Sequence, residues 1–204
     1  MIRRCYLFRH GMTGMNERRC YCGATDVPLS GQGRRLLLQN KSEFLYPDIS
    51  SCRIVTSGMR RTEETLSLLY GALPHSADFR LQEMHFGSFE GFSYGELKER
   101  ADYRRWIGGD TMADACPCGE SGLQMQRRVL AAFHELLALP GSDIALFVHG
   151  GPVAAIMQEL FPSEKRNLYE WQPDFGCGYE LEFCGGACSY RGIPAARSGE
   201  GAYV

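Results

Sequence analysis

The segment Leu7-Phe8-Arg9-His10-Gly11 sets an arginine, a histidine and a glycine directly behind an apolar run, Cys5 to Phe8. A neutral imidazole can attack phosphorus, a guanidinium can grip two oxygens at once, and glycine lets the backbone come close. Together these residues suit phosphoryl transfer. Similar groups follow other apolar runs. Thr56-Ser57 closes Arg53-Ile54-Val55, and Arg61 lies four residues beyond Ser57. Glu83 stands just after Leu81, and His149-Gly150-Gly151 follows Ala145 to Val148. In such a set one imidazole attacks, while the arginines and the second histidine neutralise the equatorial oxygens. The carboxyl group protonates the leaving oxygen and then takes a proton from the attacking water.

To bring these residues together, each must sit at the end of a strand, and the patterning supplies strands. Cys5–Phe8, Arg53–Thr56 and Asp143–Val148 read as buried strands, with a further short strand near Asp78 to Leu81. Gly14 to Ser30 reads as a polar loop. Ser30 caps a helix to about Tyr46, with Leu36, Leu37, Phe44 and Leu45 as its apolar positions and Pro47 beyond it. Arg60 to Tyr70 is a helix closed by Gly71, and helical stretches lie around Tyr94 to Trp106. Ser121 to Leu139 is amphipathic, with Leu123, Val129, Leu130, Phe133, Leu136 and Leu137 on one side. Gly151-Pro152 opens a helix to Phe161 that offers backbone donors and a positive dipole end to an anion. Tyr179 to Phe183 alternates as an edge strand should. The alternation predicts an α/β domain over residues 1–184 with a lid-like insertion at about 84–120. Parallel strands would align Arg9, His10, Arg61, Glu83 and His149 at their carboxyl ends. Residues 185–204, rich in Gly, Ala, Ser and Arg, read as a loosely held tail.

The 204 residues suffice for one sizeable core. A formal charge of −2 gives no electrostatic reason to expect a nucleic-acid or membrane partner, and a small anion needs only a local positive pocket. No apolar stretch is long enough to span a membrane, and no signal-type core develops after Arg3-Arg4, so a cytoplasmic protein is expected. The nine cysteines lack the C-x2-4-C pairs of a structural zinc site and read as reduced, unligated thiols.

The ordered motifs resemble the histidine phosphatase superfamily, in its phosphoglycerate mutase-like branch, nearly end to end. Arg9-His10-Gly11 with Thr13 and Asn16 matches its RHG start. Asp26-Val27-Pro28-Leu29-Ser30 with Gly33-Arg34 matches its next element. Ser57, Arg61 and Thr65 match S-x-x-x-R-x-x-x-T; Glu83, Phe86-Gly87 and Glu90-Gly91 match E-x-x-F-G-x-[WF]-E-G; Gly119-Glu120-Ser121, Arg128 and His149-Gly150-Gly151 complete the series. The resemblance implies a three-layer sandwich with a mostly parallel sheet flanked by helices, and catalysis without a metal or organic cofactor. It makes His10 the phosphorylated nucleophile and Glu83 the proton donor. Arg9, Asn16, Arg61, His149 and Gly150 then bind the phosphate. The implied partner is a small phosphorylated metabolite, with a homodimer left open. Length and the Phe86–Gly91 segment resemble α-ribazole-phosphate and sugar-phosphate phosphatases; a phosphoglycerate mutase is the alternative, and an inactive phospholigand-binding protein a more distant one. Met12, Met15, Gly58-Met59 and Thr62 depart from the family pattern.

Glu90 and Glu96 rival Glu83, but Glu90 can be explained by hydrogen bonding to a loop and Glu96 by a helix surface. Arg60 reads as a solvated helix charge. His75 and His134 have no catalytic setting, whereas His85 can face a substrate. Tyr94, Tyr103 and Trp106 are candidates for shaping substrate choice.

Overall fold

A computed structural model describes residues 3–196. Strand β1 (Arg3–Arg9) leads to α1 (Gly14–Glu17), α2 (Gly31–Glu43), β2 (Phe44–Leu45), β3 (Arg53–Thr56), α3 (Arg60–Tyr70) and β4 (Ser76–Ala77). The insertion that follows carries α4 (Tyr94–Leu97) and α5 (Ala101–Ile107) among short 3-10 turns. The chain then returns through α6 (Gly122–Ala138), β5 (Ile144–Val148) and α7 (Gly150–Leu160) to β6 (Gly178–Cys184), β7 (Ala187–Ile193) and β8 (Ala195–Ala196).

Six strands form one sheet in the order β4-β3-β5-β1-β6-β7. The first four run parallel, and β6 and β7 are antiparallel additions. Residues 5 to 8 of β1 and all of β5 are buried, as continuous apolar runs in a doubly covered sheet require. The pleat sorts them. Cys5, Leu7, Val55, Leu146 and Val148 face α6, α7 and the insertion, whereas Tyr6, Phe8, Ile54, Ala145 and Phe147 face α2 and α3. The result is the expected three-layer α/β sandwich.

Several expectations are corrected. Helix α1 interrupts the loop expected over 14–30; Thr13 and Asn16 close a reciprocal capping box there. Helix α2 stops at Glu43, because Phe44 and Leu45 pair with β8. Of its expected apolar positions only Leu37 is buried; Leu36, Phe44 and Leu45 are exposed, as is Leu123 on α6. The fourth parallel strand is Ser76–Ala77, and Phe79–Leu81 form a 3-10 turn capped by Asp78. Strand β6 is internal: it pairs with β1 on one side and β7 on the other. Its outer alternation therefore reflects the amphipathic hairpin, and the edge falls to β7. Residues 187–196, expected in a loose tail, are strands β7 and β8, while residues 197–204 lie outside the described part. Among the described residues no helix is long and apolar enough to cross a membrane.

Candidate active site

The register of the parallel strands sets the site. Arg9 pairs with Val148, and Thr56 with Phe147, so the strands release His10, Ser57 and His149 at one edge. The amides of His10 and Ser57 extend this ladder to Val148 O (3.0 Å) and Phe147 O (3.1 Å). The rings of His10 and His149 meet edge-on, with centroids 5.1 Å apart.

Hydrogen bonding fixes both tautomers. His10 Nδ1 lies 2.6 Å from Gly11 O, and a carbonyl can only accept. Nδ1 therefore carries the proton and Nε2 keeps a free lone pair. His149 Nδ1 receives Arg61 Nε–H at 3.1 Å, so His149 must hold its own proton on Nε2. That proton points to Ser57 Oγ at 2.8 Å. Thr62 Oγ1 donates to Met59 O at 2.7 Å and is thus left to accept from Ser57 at 3.1 Å. A one-way chain runs His149 to Ser57 to Thr62 to Met59. Burial, reinforced by the Arg61 charge, holds both imidazoles well below their ordinary pKa. Both rings are neutral at pH 7. The Arg61 N–H occupies the His149 nitrogen that a second proton would need, so the fixed positive charge at this edge sits on Arg9 and Arg61.

The spacing Ser57, Arg61, Thr65 now has a physical meaning. Arg61 and Thr65 are one turn apart on α3 and both fully buried. Thr65 Oγ1 donates to Arg61 O (2.6 Å) and accepts from Gly11 N (2.9 Å), fastening the His10 loop to the helix. Arg61 also donates to Thr25 O at 2.9 Å and Gly23 O at 2.7 Å. Three of the five guanidinium N–H donors are thereby committed, leaving two for an anion. The carbonyls come from a loop tied down by Glu90, which accepts from Ala24 N (2.6 Å), Thr25 N (2.7 Å), Thr25 Oγ1 and Phe86 N (3.2 Å). Glu90 organises the loop, as its alternative reading held, and Glu96 closes the capping box of α4. Gly23 is required where it stands, because a Cβ there would lie 1.7 Å from Met84 O.

Arg9 donates to Pro173 O at 2.7 Å and stacks 4.1 Å from the Phe175 ring centre. Its Nε is buried with no partner. Desolvation lowers the pKa of both Arg9 and Arg61. Neither guanidinium has a carboxylate within ion-pair distance among the described residues, although eleven arginine–carboxylate pairs exist elsewhere among them. A buried cation left unpaired is costly unless an anion completes it.

Glu83 reaches the same edge from the insertion. One carboxylate oxygen accepts from Met84 N at 2.9 Å and the other from Gly151 N at 3.0 Å, while Arg128 holds the Glu83 carbonyl at 2.8 Å. Gly151 is needed for this approach: a Cβ there would lie 2.2 Å from Glu83 Oε1. The helix that opens at His149 thus gives its Gly151 donor to Glu83 and not to an incoming anion. Gly150 packs between Gln172 and Arg9. The Asn16 oxygen serves the α1 cap, which leaves its amide N–H2 to donate.

Glu83, Asn16 and Gly151 open onto a cavity of about 750 Å3 whose other walls include Tyr21, Tyr94 and Trp106. Tyr103 stands behind the wall, donating or accepting at Tyr21 Oη (2.7 Å), and exposed His85 does not line the cavity. Ser57, Thr62 and the Pro173–Phe175 loop are site residues that the motifs alone did not assign. Thr62 showed only as a departure from the pattern, and nothing local marked the loop. No group of three or more His, Cys, Asp or Glu side chains among the described residues gathers to hold a metal.

Comparison with known proteins places this geometry in a family. The family profile of the histidine phosphatase superfamily (branch 1) matches residues 5–194. A probable phosphoglycerate mutase GpmB of Salmonella typhi is 33% identical over 159 residues, covering 76% of this chain and 73% of that protein. A glucosyl-3-phosphoglycerate phosphatase of Mycolicibacterium vanbaalenii is 32% identical over 169 residues, covering 78% and 74%. A putative alpha-ribazole-5'-P phosphatase from Escherichia coli shares the fold with a TM-score of 0.82 at 22% identity, covering 98% of this chain and 99% of that one. With its motifs, its sheet and its profile in agreement, the chain belongs to the histidine phosphatase superfamily, branch 1, a family of phosphatase enzymes.

Proposed function

We propose that the protein hydrolyses a small phosphomonoester through a phosphohistidine on His10. The observation that carries this reading is the pair of guanidinium groups without carboxylate partners, Arg61 fully buried and Arg9 half-buried with an unpartnered Nε, beside an imidazole whose Nε2 lone pair is free. A phosphate dianion supplies the missing charge, and the lone pair supplies the nucleophile.

In the first half-reaction Nε2 attacks phosphorus as the P–O bond to the alcohol breaks, and Glu83 delivers a proton to the leaving oxygen. As His10 gains positive character, Nδ1–H strengthens its bond to Gly11 O. Arg9, the two uncommitted donors of Arg61 and the Asn16 amide hold the equatorial oxygens. In the second half-reaction Glu83 takes a proton from water as it attacks the phosphohistidine, which releases inorganic phosphate and restores His10.

For the alcohol, α-ribazole 5′-phosphate and sugar phosphates fit the resemblance of the Phe86–Gly91 segment. The alternative reading is a mutase, in which the phosphoryl group returns to a second hydroxyl of the same molecule. The name of the Salmonella typhi relative supports it. Trapping tests the shared chemistry. Quenched wild-type enzyme should carry acid-labile phosphate on His10 by peptide mass spectrometry. His10→Ala should lower turnover by about 10^4-fold or more with the fold retained. Phosphate trapped on another residue, or turnover preserved in that variant, overturns the assignment. Product analysis on 3-phosphoglycerate separates free phosphate from an isomer.

A further inference from the structure

The cavity beyond Glu83 is far larger than a phosphate needs, and one of its walls is a cluster of aromatic rings. Trp106 is buried against Tyr21, Phe89 and Tyr103, with ring centroids 6.1, 5.4 and 5.9 Å away. The polar atoms of this cluster are spent inside the protein: Trp106 Nε1 donates to Asp114 O at 3.1 Å, and the Tyr21 and Tyr103 hydroxyls bond each other at 2.7 Å. Tyr21 and Trp106 therefore offer the cavity ring carbon and little else. At the rim, Tyr94 is 62% and Tyr169 is 82% exposed, although both are large aromatic side chains. Exposed aromatics gathered at the mouth of a mostly apolar cavity mark a binding surface. Asn16, Thr111, Gln158, Asn167 and Gln172 add neutral amide and hydroxyl groups elsewhere in the lining, and charge is sparse. Glu83 sits at the phosphate end, and the lining cation is Arg19, on an exposed turn.

We propose that this cavity binds the alcohol part of the substrate as an uncharged, flat aromatic ring system, stacked on the Tyr21–Trp106 wall and closed over by Tyr94 and Tyr169. The proposal rests on the phosphatase reading for the reaction and adds the class of alcohol. Stacking on rings and burial of apolar surface provide the affinity. A hydroxy acid is disfavoured, because its carboxylate would share the wall with Glu83 and meet only the solvated Arg19.

Three alkyl esters with leaving groups of similar basicity isolate the alcohol site: ethyl phosphate, 3-phosphoglycerate and 2-(2-naphthyl)ethyl phosphate. One methylene in an apolar pocket is worth about 10- to 200-fold, so the naphthyl ester should exceed ethyl phosphate by at least about 100-fold in kcat/KM. 3-Phosphoglycerate should gain nothing over ethyl phosphate. Tyr94→Ala and Tyr169→Ala should each shrink the naphthyl preference by about tenfold, chiefly through KM. Calorimetric titration of His10→Ala with the free alcohol, 2-(2-naphthyl)ethanol, should show binding that Tyr169→Ala weakens. Equal rates on all three esters, a preference for 3-phosphoglycerate, or no binding of the free alcohol overturns the aromatic site. Binding of the alcohol with no hydrolysis of any ester upholds that site and overturns the phosphatase reading instead.

Discussion

The buried phosphate end of the site and the cavity that adjoins it through Glu83 are built on opposite principles. At the phosphate end His149, Ser57, Arg61 and Thr62 are fully buried, and each polar atom that meets another has one permitted direction of donation. At the far end the contacts are between carbon faces, and two of the rings stand in solvent. Hydrogen bonds fixed in advance suit charge that must be met at a set position, whereas stacked rings accept a change of shape at modest cost. A reaction can therefore stay constant while its substrate varies. Substitutions at the first end should act alike on every ester, and those at the second should act selectively.

The sharpest test lies at the boundary. Glu83 touches both ends, yet its role is tied to the leaving group. Glu83→Gln should slow phosphorylation of His10 by about 10^2- to 10^4-fold for an alkyl phosphate, and by less than about tenfold for p-nitrophenyl phosphate, whose leaving group needs no proton. Single-turnover kinetics resolve that step. Equal losses on both substrates would assign Glu83 to positioning alone.

Glu90 should give the contrasting result. Glu90→Ala strips the acceptor from three backbone amides and a hydroxyl. It should cost about 2–4 kcal/mol in urea unfolding and lower activity towards all esters by the same factor, through the loosened Arg61 cradle. Full stability with lost activity would mean that Glu90, not Glu83, meets the substrate.

A further effect is a pH dependence of stability that arises at the phosphate end. Burial, then the Arg61 charge, depresses His10 and His149 below the usual imidazole value of 6.5. Below that value the unfolded chain binds protons that the native rings refuse. Stability is therefore complete above pH 6.5 and falls as pH drops towards the native pKa values, by at most about 1.4 kcal/mol per pH unit for each ring. Unfolding between pH 7.5 and 5 should show this slope, and His10→Gln should remove about half of it. An unchanged slope in that variant would place the titration elsewhere.

How much of this was legible in the sequence differs between the two ends. Arg9, His10, Arg61 and His149 stand at strand ends or on the first helical turn, where an apolar run and one polar residue suffice to place them. The network that sets their protonation was not legible. Thr62 reaches Ser57 by tertiary geometry, and the Arg61 cradle joins loops 65 residues apart in sequence. The misread strand at 78–81 and the misread edge at 179–183 share one cause. Periodicity reports which face is covered, but not which neighbour covers it.

The tie between Glu90 and residues 24–25 bears on how specificity can be transplanted among relatives. The insertion invites treatment as an exchangeable module, since it carries Tyr94 and Trp106 and lies in one stretch of chain. It also carries the carboxylate that shapes the loop on which Arg61 rests. A chimera that imports residues 82–121 alone would pair a foreign Glu90 counterpart with the resident 21–25 loop and misalign the arginine. Moving both segments together keeps the tie between the insertion and the Arg61 cradle intact, so in this chain the transplantable unit is two discontinuous pieces.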